Sequence, residues 1–334
     1  LTAMDAITTG DHNTAIGYEA GGAITTGYLN VLVGFEAGAN IIGAEQNTAV
    51  GYRALKGATS GSLNVAIGTS ALQVPDTEQS NLAIGYNAMS GAIAGGEYNV
   101  AIGNGTLDAL TSADYSVAVG YEAGSAITTG GNNTLMGYQA GANITTGTNN
   151  TGVGIQALYN FDTEGNNTAF GQSALGGAIA GGEYNVAVGN LSLSALTSGD
   201  NNVAVGYNAG SAITTGGYNT AIGNTALASN TTASDNVAVG GDALNANTEG
   251  ASNVAVGVGA LVANTTASNN TAVGKRALYA NTTGTRNIAV GALAYDTADT
   301  ESDNLAIGYD ALGGAVAGAE YNVAIGNYSL DALT

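Results

Sequence analysis

The residues that could carry chemistry in this chain are few. His12 is the only histidine and there is no cysteine, so no zinc or iron–sulfur ligand spacing can be composed. His12 itself reads as a solvated turn residue. Serines abound, but a nucleophile needs a base within reach, and none exists beyond His12 near the start of the chain. The Gly-x-x-Gly patterns lie in turns, without the strand–loop–helix context that phosphate binding requires. Acidic side chains could bind Ca²⁺, and Glu19, Glu36, Glu122, Asp242 and Asp310 share one column of a repeat. That column also holds Arg53, Asn87, Gln139, Gln156 and Arg276. A dedicated metal column would not admit arginine, and no EF-hand or nonapeptide calcium spacing is present. The sequence assigns no catalytic, cofactor-binding or metal-binding residue and predicts a protein that is not an enzyme.

Two other residue types invite a recognition role. An aromatic recurs in a second column, at Tyr18, Phe35, Tyr52, Tyr86, Tyr121, Tyr138, Tyr207 and Tyr309. It can meet sugar faces or a neighbouring fibre, or simply cover the edge of a coil; covering is the favoured reading. Glycosylation sequons stand at Asn132, Asn149, Asn166, Asn190, Asn230, Asn264, Asn269 and Asn281. They follow almost automatically from a composition rich in Asn and Thr.

What must position these residues is a short repeat. The stretch Asn13-Thr14-Ala15-Ile16-Gly17 recurs with its first residue at 13, 30, 47, 64, 81, 99, 116, 133, 150, 167, 185, 202, 219, 236, 253, 270, 287, 304 and 322. The step is 17 residues except at 81→99, 167→185 and 304→322, where it is 18. Only Ser116 breaks the Asn column. Such regularity predicts stacked units with no globular core. The 53 glycines lack a period of three and the chain has a single proline, Pro75, which excludes collagen. A formal charge of −20, with five basic residues, argues against nucleic acid or an anionic membrane as partner. It favours solubility in a salty medium. No apolar run is long enough to span a membrane as a helix, and no basic-then-apolar leader is present. The chain opens and stops in mid-repeat, which reads as a piece of a longer protein.

Counting from the Asn as position zero, position one is Thr or a branched aliphatic, two is nearly always Ala, three is large and apolar, and four is Gly. The β-branched residues at one and three predict a strand, not a helix. Position three is expected to point into the coil, leaving Asn, Ala and Gly as a flat face for another chain or wall. Position seven is Ala, Ser or Thr and is expected to be tight. Position eight is commonly Leu, as in Leu55, Leu158, Leu227 and Leu278. Where it is Gly (Gly21, Gly38, Gly124, Gly141, Gly210), Ile follows three residues later (Ile24, Ile41, Ile127, Ile144, Ile213). These are two ways to fill one volume, whose loss would cost roughly 2–5 kcal/mol. Met89 with Ile93 accompanies the first longer step. The remainder is turn material such as Thr25-Thr26-Gly27, and the Asn column is expected to form an amide ladder. Each rung is predicted to hold about two short strands and two turns, stacked at about 4.8 Å, so that the units make a rod on the order of 90 Å long.

Residues 81–138 and 167–224 are close copies, and the block Ser90-Gly91-Ala92-Ile93-Ala94-Gly95-Gly96-Glu97-Tyr98 is echoed by Gly176 to Tyr184 and by Gly313-Gly314-Ala315-Val316-Ala317. Duplication of several rungs at once explains this and implies adjustable length. The fold class expected is all-β, a parallel β-solenoid of about 19 rungs, continuous over residues 1–334.

The repeated Asn-Thr-Ala-Val-Gly-Tyr-x-Ala-Leu and Asn-Val-Ala-Ile-Gly sequence resembles the head repeats of YadA-like trimeric autotransporter adhesins, and 17-residue repeats of phage tail-fibre-like proteins. The likeness covers essentially the whole chain, although the adhesin unit is shorter, at about 14 residues, and its neck, stalk and anchor are absent here. It implies a left-handed parallel β-roll, three chains side by side, and surface attachment. The expected function is a structural fibre or adhesin segment, extracellular, at the cell surface or on a virion, with self-association as a homotrimer or fibre and a surface receptor or glycan as partner. Alternatives are a self-assembling extracellular filament and a glycan- or ice-binding repeat.

Overall fold

The computed structural model describes residues 3–177, 181–297, 299–314 and 318–331. Residues 178–180 and 315–317 of the duplicated block, with Ile179 and Val316 among them, lie outside the described residues, as do Leu1 and Thr334. Two compact units are present, Leu1–Asn166 and Asn167–Thr334. Each is a parallel β-solenoid. The first carries nine strands, from Thr14–Ile16 to Thr151–Val153, and the second ten, from Thr168–Phe170 to Val323–Ile325. Every strand is three residues long and occupies positions one to three of its repeat.

Within each unit a strand pairs in parallel with the equivalent strand one repeat on, in strict register. In the first unit Thr48, Ala49 and Val50 face Val65, Ala66 and Ile67, and in the second Val237, Ala238 and Val239 face Val254, Ala255 and Val256. An 18-residue step leaves the register intact, because Leu82, Ala83 and Ile84 face Val100, Ala101 and Ile102. The extra residue is absorbed in the loop.

One strand per rung is found among the described residues, where about two were expected. The opposite wall still bonds from rung to rung, for example Thr214 N–H to the Thr231 carbonyl at 2.8 Å. Those bonds are interrupted by left-handed turns, so no second ladder of strand length develops.

The glycine at position four ends each strand. At Gly51 φ is 141°, and a Cβ there would stand 2.4 Å from the carbonyl oxygen of Gly68 in the next rung. Both the dihedral and the inter-rung approach therefore require glycine. Other left-handed positions are filled by bulky residues. Leu55, Leu158 and Leu227 at position eight have φ of 53°, 56° and 54°, a backbone state costing about 1–2 kcal/mol for a residue with a Cβ. Complete burial of the same side chains, worth about 1.5–3 kcal/mol each, offsets that cost.

The interior reverses the expected strand orientation. Position two points inward: Ala49, Ala66, Ala83, Ala101 and their equivalents are fully buried. Position three points out, with Ile16 61% and Ile67 38% exposed. The reason is the narrowness of the coil. At Gly152, a position-two residue without a side chain, an added Cβ would already lie 3.0 Å from a δ-methyl of Leu158. An inward Val or Ile at position three, in addition to the buried Leu, finds no room. The small face is therefore the inner one, and the large β-branched residues at one and three form the outer face.

Candidate interaction surfaces

Asparagine at position zero does more than stack. The Asn30 Oδ1 accepts from the Asn47 backbone N–H at 3.0 Å, and Asn47 Oδ1 accepts from Asn64 N–H at 2.9 Å. Each Nδ2 also donates forward to the carbonyl at position fourteen of its own rung: Asn30 to Ala44 at 2.9 Å, Asn47 to Gly61 at 3.0 Å, Asn64 to Glu78 at 2.9 Å. The amide thus ties successive rungs and closes each rung on itself. Most of these side chains are fully buried, which makes the column structural, as the sequence suggested.

A second asparagine ladder occupies position eleven in Asn230, Asn247, Asn264 and Asn281, all fully buried. Asn247 Nδ2 reaches Asn230 Oδ1 at 3.2 Å, Asn264 reaches Asn247 at 2.8 Å and Asn281 reaches Asn264 at 3.0 Å. Three of the sequons are therefore internal, at Asn230, Asn264 and Asn281. Those at Asn132, Asn149, Asn166, Asn190 and Asn269 are exposed.

His12 lies 3.3 Å from Asp11 with both side chains exposed, in keeping with a solvated turn. In the acidic column Arg53 is a partner of the acid, not its replacement. Glu36 Oε2 receives Lys56 Nζ at 2.6 Å and Arg53 Nε at 2.8 Å. The Lys56 ammonium, with Arg53 beside it and burial opposing both, holds the Glu36 carboxyl below its ordinary range. Glu122 likewise accepts from Gln139 Nε2 at 2.8 Å, and Gln139 from Gln156 at 3.1 Å. Among the described residues no group of three or more His, Cys, Asp or Glu is arranged to hold a metal ion.

Where the aromatic column is continuous from rung to rung, its rings stack face to face. Tyr18 and Phe35 lie 5.1 Å apart at 16°, Phe35 and Tyr52 5.3 Å at 15°, Tyr121 and Tyr138 5.5 Å at 10°. Facing rings cover one another, so a sugar cannot lie on the faces within a stack. The threonines of the opposite wall are similarly engaged. Thr197, Thr214 and Thr248 each donate a hydroxyl to the carbonyl of the next rung at 3.0, 3.0 and 3.1 Å. These donors serve the coil, which weakens the ice- and glycan-binding alternative.

Sequence reasoning missed three buried glutamates. Glu78, Glu164 and Glu301 are 3%, 4% and 8% exposed and stand at position fourteen of the rung before each 18-residue unit. Glu78 accepts from the backbone N–H groups of Asp76 at 2.7 Å, Thr77 at 3.1 Å and Gly95, in the longer loop, at 2.8 Å. Glu301 does the same with Asp299 at 3.2 Å, Thr300 at 3.1 Å and Gly318 at 2.9 Å. Burial would raise the Glu301 pKa, but the N–H groups of Gly318, Asp299, Thr300 and its own residue outweigh it and bring the net shift down. The carboxylate anchors the widened loop. The signal available in the sequence was the Asp-Thr-Glu triplet ahead of each longer step, at 76–78, 162–164 and 299–301.

The outer strand face is left open to solvent. Val50 (37%), Ile67 and Met136 in the first unit, and Phe170, Ile222, Val273 and Val290 in the second, are exposed apolar side chains at position three of their rungs. Position one adds a parallel column of half-buried Val, Thr, Ile and Leu. Neither column carries a charge. A scan against protein-family models and a search of curated proteins returned no match to this chain.

Proposed function

We propose that this chain is a non-catalytic structural segment of a fibre or adhesin, extracellular or carried on a virion, whose copies associate side by side through the outer strand face. The observation that carries the reading is that face: uncharged columns of mainly β-branched apolar residues, with exposed members in both units. Apolar surface of this extent, outside a charged and well-filled coil, marks an interaction surface. Flat parallel rungs in strict register offer a second copy the same spacing along their length. The likeness of the repeat to YadA-like adhesin heads and tail-fibre-like repeats supports a homotrimer and a role in surface attachment, with a receptor or glycan as the eventual target.

Sedimentation velocity with light scattering tests this. The wild-type chain is expected to run as a trimer or larger. Val50→Lys with Ile67→Lys, both outward and needing no repacking, is expected to shift it to monomer while the far-ultraviolet spectrum stays unchanged. A growing, open-ended series of species in place of a closed trimer would select the filament alternative. A wild-type monomer at tens of micromolar would sink the association (Kd values in this range correspond to about −5.5 to −7 kcal/mol).

A further inference from the structure

The aromatic column has several gaps, and the one at Asn104 is built as a site. Between Tyr86 and Tyr121, two rungs apart, the ladder lacks one ring because position five of the intervening rung is Asn104. Position six of that rung is Gly105, with φ of 63°. Most other rungs carry a longer side chain in that place, such as Glu36, Gln139 or Arg276. The result is a slot of about 190 Å³ lined by Tyr86, Asn87, Asn104, Gly105, Asp108, Tyr121 and Glu122. Asn104 is held as its floor, its Oδ1 accepting from the Tyr86 N–H at 2.9 Å. The Tyr121 ring lies nearly parallel to Tyr138 on its far side, so its free face is turned towards the slot.

The electrostatics favour a cation. Two carboxylates and the negative faces of aromatic rings line the same small volume, and no basic side chain is among the lining residues. Burial, opposed by a hydrogen bond from its own backbone N–H and aided by the neighbouring Glu122, raises the Asp108 pKa, the response of a carboxyl that lacks a counter-charge.

The protein itself shows twice how such a space is filled. In the rung at 47 the Arg53 guanidinium lies 5.0 Å from the centroid of Tyr52, at the end of the Tyr18–Phe35–Tyr52 stack, and bonds to Glu36. In the rung at 253 the position-six residue is again glycine, Gly259. There the space over it is taken by the side chains of Arg276 and Tyr279, each 3.7 Å from where a Cβ would stand, with the guanidinium 4.1 Å from the ring centroid. Over Gly105 the corresponding neighbour is Glu122 alone, its Cγ 3.5 Å from the same point. Ring and acid are in place, and the guanidinium is missing.

We propose that the slot between Tyr86 and Tyr121 binds a guanidinium group, an arginine side chain presented by a basic partner segment, stacked on Tyr121 and paired with Glu122 and Asp108. The site is complete within one chain, so the inference stands or falls separately from side-by-side association.

The test uses the full chain and L-argininamide as probe, followed by ligand-observed NMR and calorimetry at two salt concentrations. Saturable one-to-one binding is expected. Tyr121→Leu and Glu122→Gln should each weaken it about five- to tenfold, the scale of one cation–π or one charge-assisted contact. Gly105→Gln should abolish it by filling the slot; Gln139 and Gln156 already occupy that column with φ of 53° and 55°, so the variant has a precedent in the same fold. Glu45→Gln, an acid outside the slot, should leave affinity unchanged. Equal binding by wild type and Gly105→Gln would assign the effect to diffuse negative charge and overturn the proposal. So would no binding by wild type, or binding of methyl glucoside that Gly105→Gln blocks while argininamide is unaffected. Thermal melting of each variant distinguishes a lost site from a lost fold, and Glu122→Gln, which keeps the shape of the side chain, serves if Gly105→Gln does not fold.

Discussion

At the scale of single residues the column of asparagines shows what one side chain type can do that its near relatives cannot. Its carbonyl takes a backbone N–H from the next rung while its amide closes its own rung onto the position-fourteen carbonyl. Serine has the acceptor but not the reach. At Ser116 the hydroxyl accepts from Asn133 N–H at a long 3.4 Å. The orphaned Gly130 carbonyl is rescued by Asn133, which donates to Gly130 at 3.1 Å and to its own Gly147 at 2.8 Å. Ser116→Asn restores both bonds and is expected to stabilise the first unit by about 0.5–1.5 kcal/mol, the net worth of a buried hydrogen bond. A urea titration with unchanged slope and a higher midpoint is the expected result; an unchanged or lower midpoint would show that Asn133 already compensates in full.

At the scale of the rung, the exchange of Leu at position eight for Gly with Ile three residues on is visible in the sequence and holds in the structure. At Gly210 a Cβ would meet the Ile213 δ-methyl at 2.9 Å and a Leu193 δ-methyl at 3.0 Å; both side chains are fully buried. Gly210→Leu alone should therefore overpack and destabilise by about 1–3 kcal/mol, and Ile213→Ala added to it should recover much of the loss. If the double variant is no more stable than Gly210→Leu, as read by thermal melting, the two fillers do not share one volume. The compensation extends beyond a single rung. Where two Gly-type rungs follow one another, at Gly21 with Gly38 and at Gly124 with Gly141, position two changes from Ala to Leu32 and Leu135. The δ-methyls of Leu32 lie 2.8 Å from the Cβ points of both Gly21 and Gly38. At Tyr295 the filler is aromatic and its hydroxyl takes the Asn304 amide at 2.7 Å, an exchange for which periodicity offers no warning.

At the scale of the molecule two forces oppose each other on the surface. A formal charge of −20 repels a second copy, and in the association proposed above the uncharged outer strand face attracts one. Salt screens the first, with a Debye length falling from about 30 Å at 0.01 M to about 8 Å at 0.15 M, and leaves the second in place. Association measured by sedimentation is expected to strengthen as sodium chloride is raised through this range. Weakening with salt would mean that ion pairs, not the apolar columns, hold the copies together.

The period of 17, the strand at positions one to three, the glycine turns and the alternative fillers were all determined by the sequence, because each follows from local sterics or from a volume that must be conserved in every rung. Strand orientation was not. Position two and position three are both apolar, and a period of two marks which residues share a face without marking which face is inside. Only closure of a coil as narrow as this one decides it, by leaving room for Ala49 and none for Val50 once Leu55 is in place. The buried glutamates escaped sequence reasoning for a related reason. A carboxylate at Glu78 or Glu301 is costly in isolation and becomes favourable only when the widened loop of the next rung brings the N–H of Gly95 or Gly318 to meet it. The slot at Gly105 is of the same kind: one missing ring and one missing side chain mean nothing in a line of sequence, and become a place only when the rungs on either side are stacked.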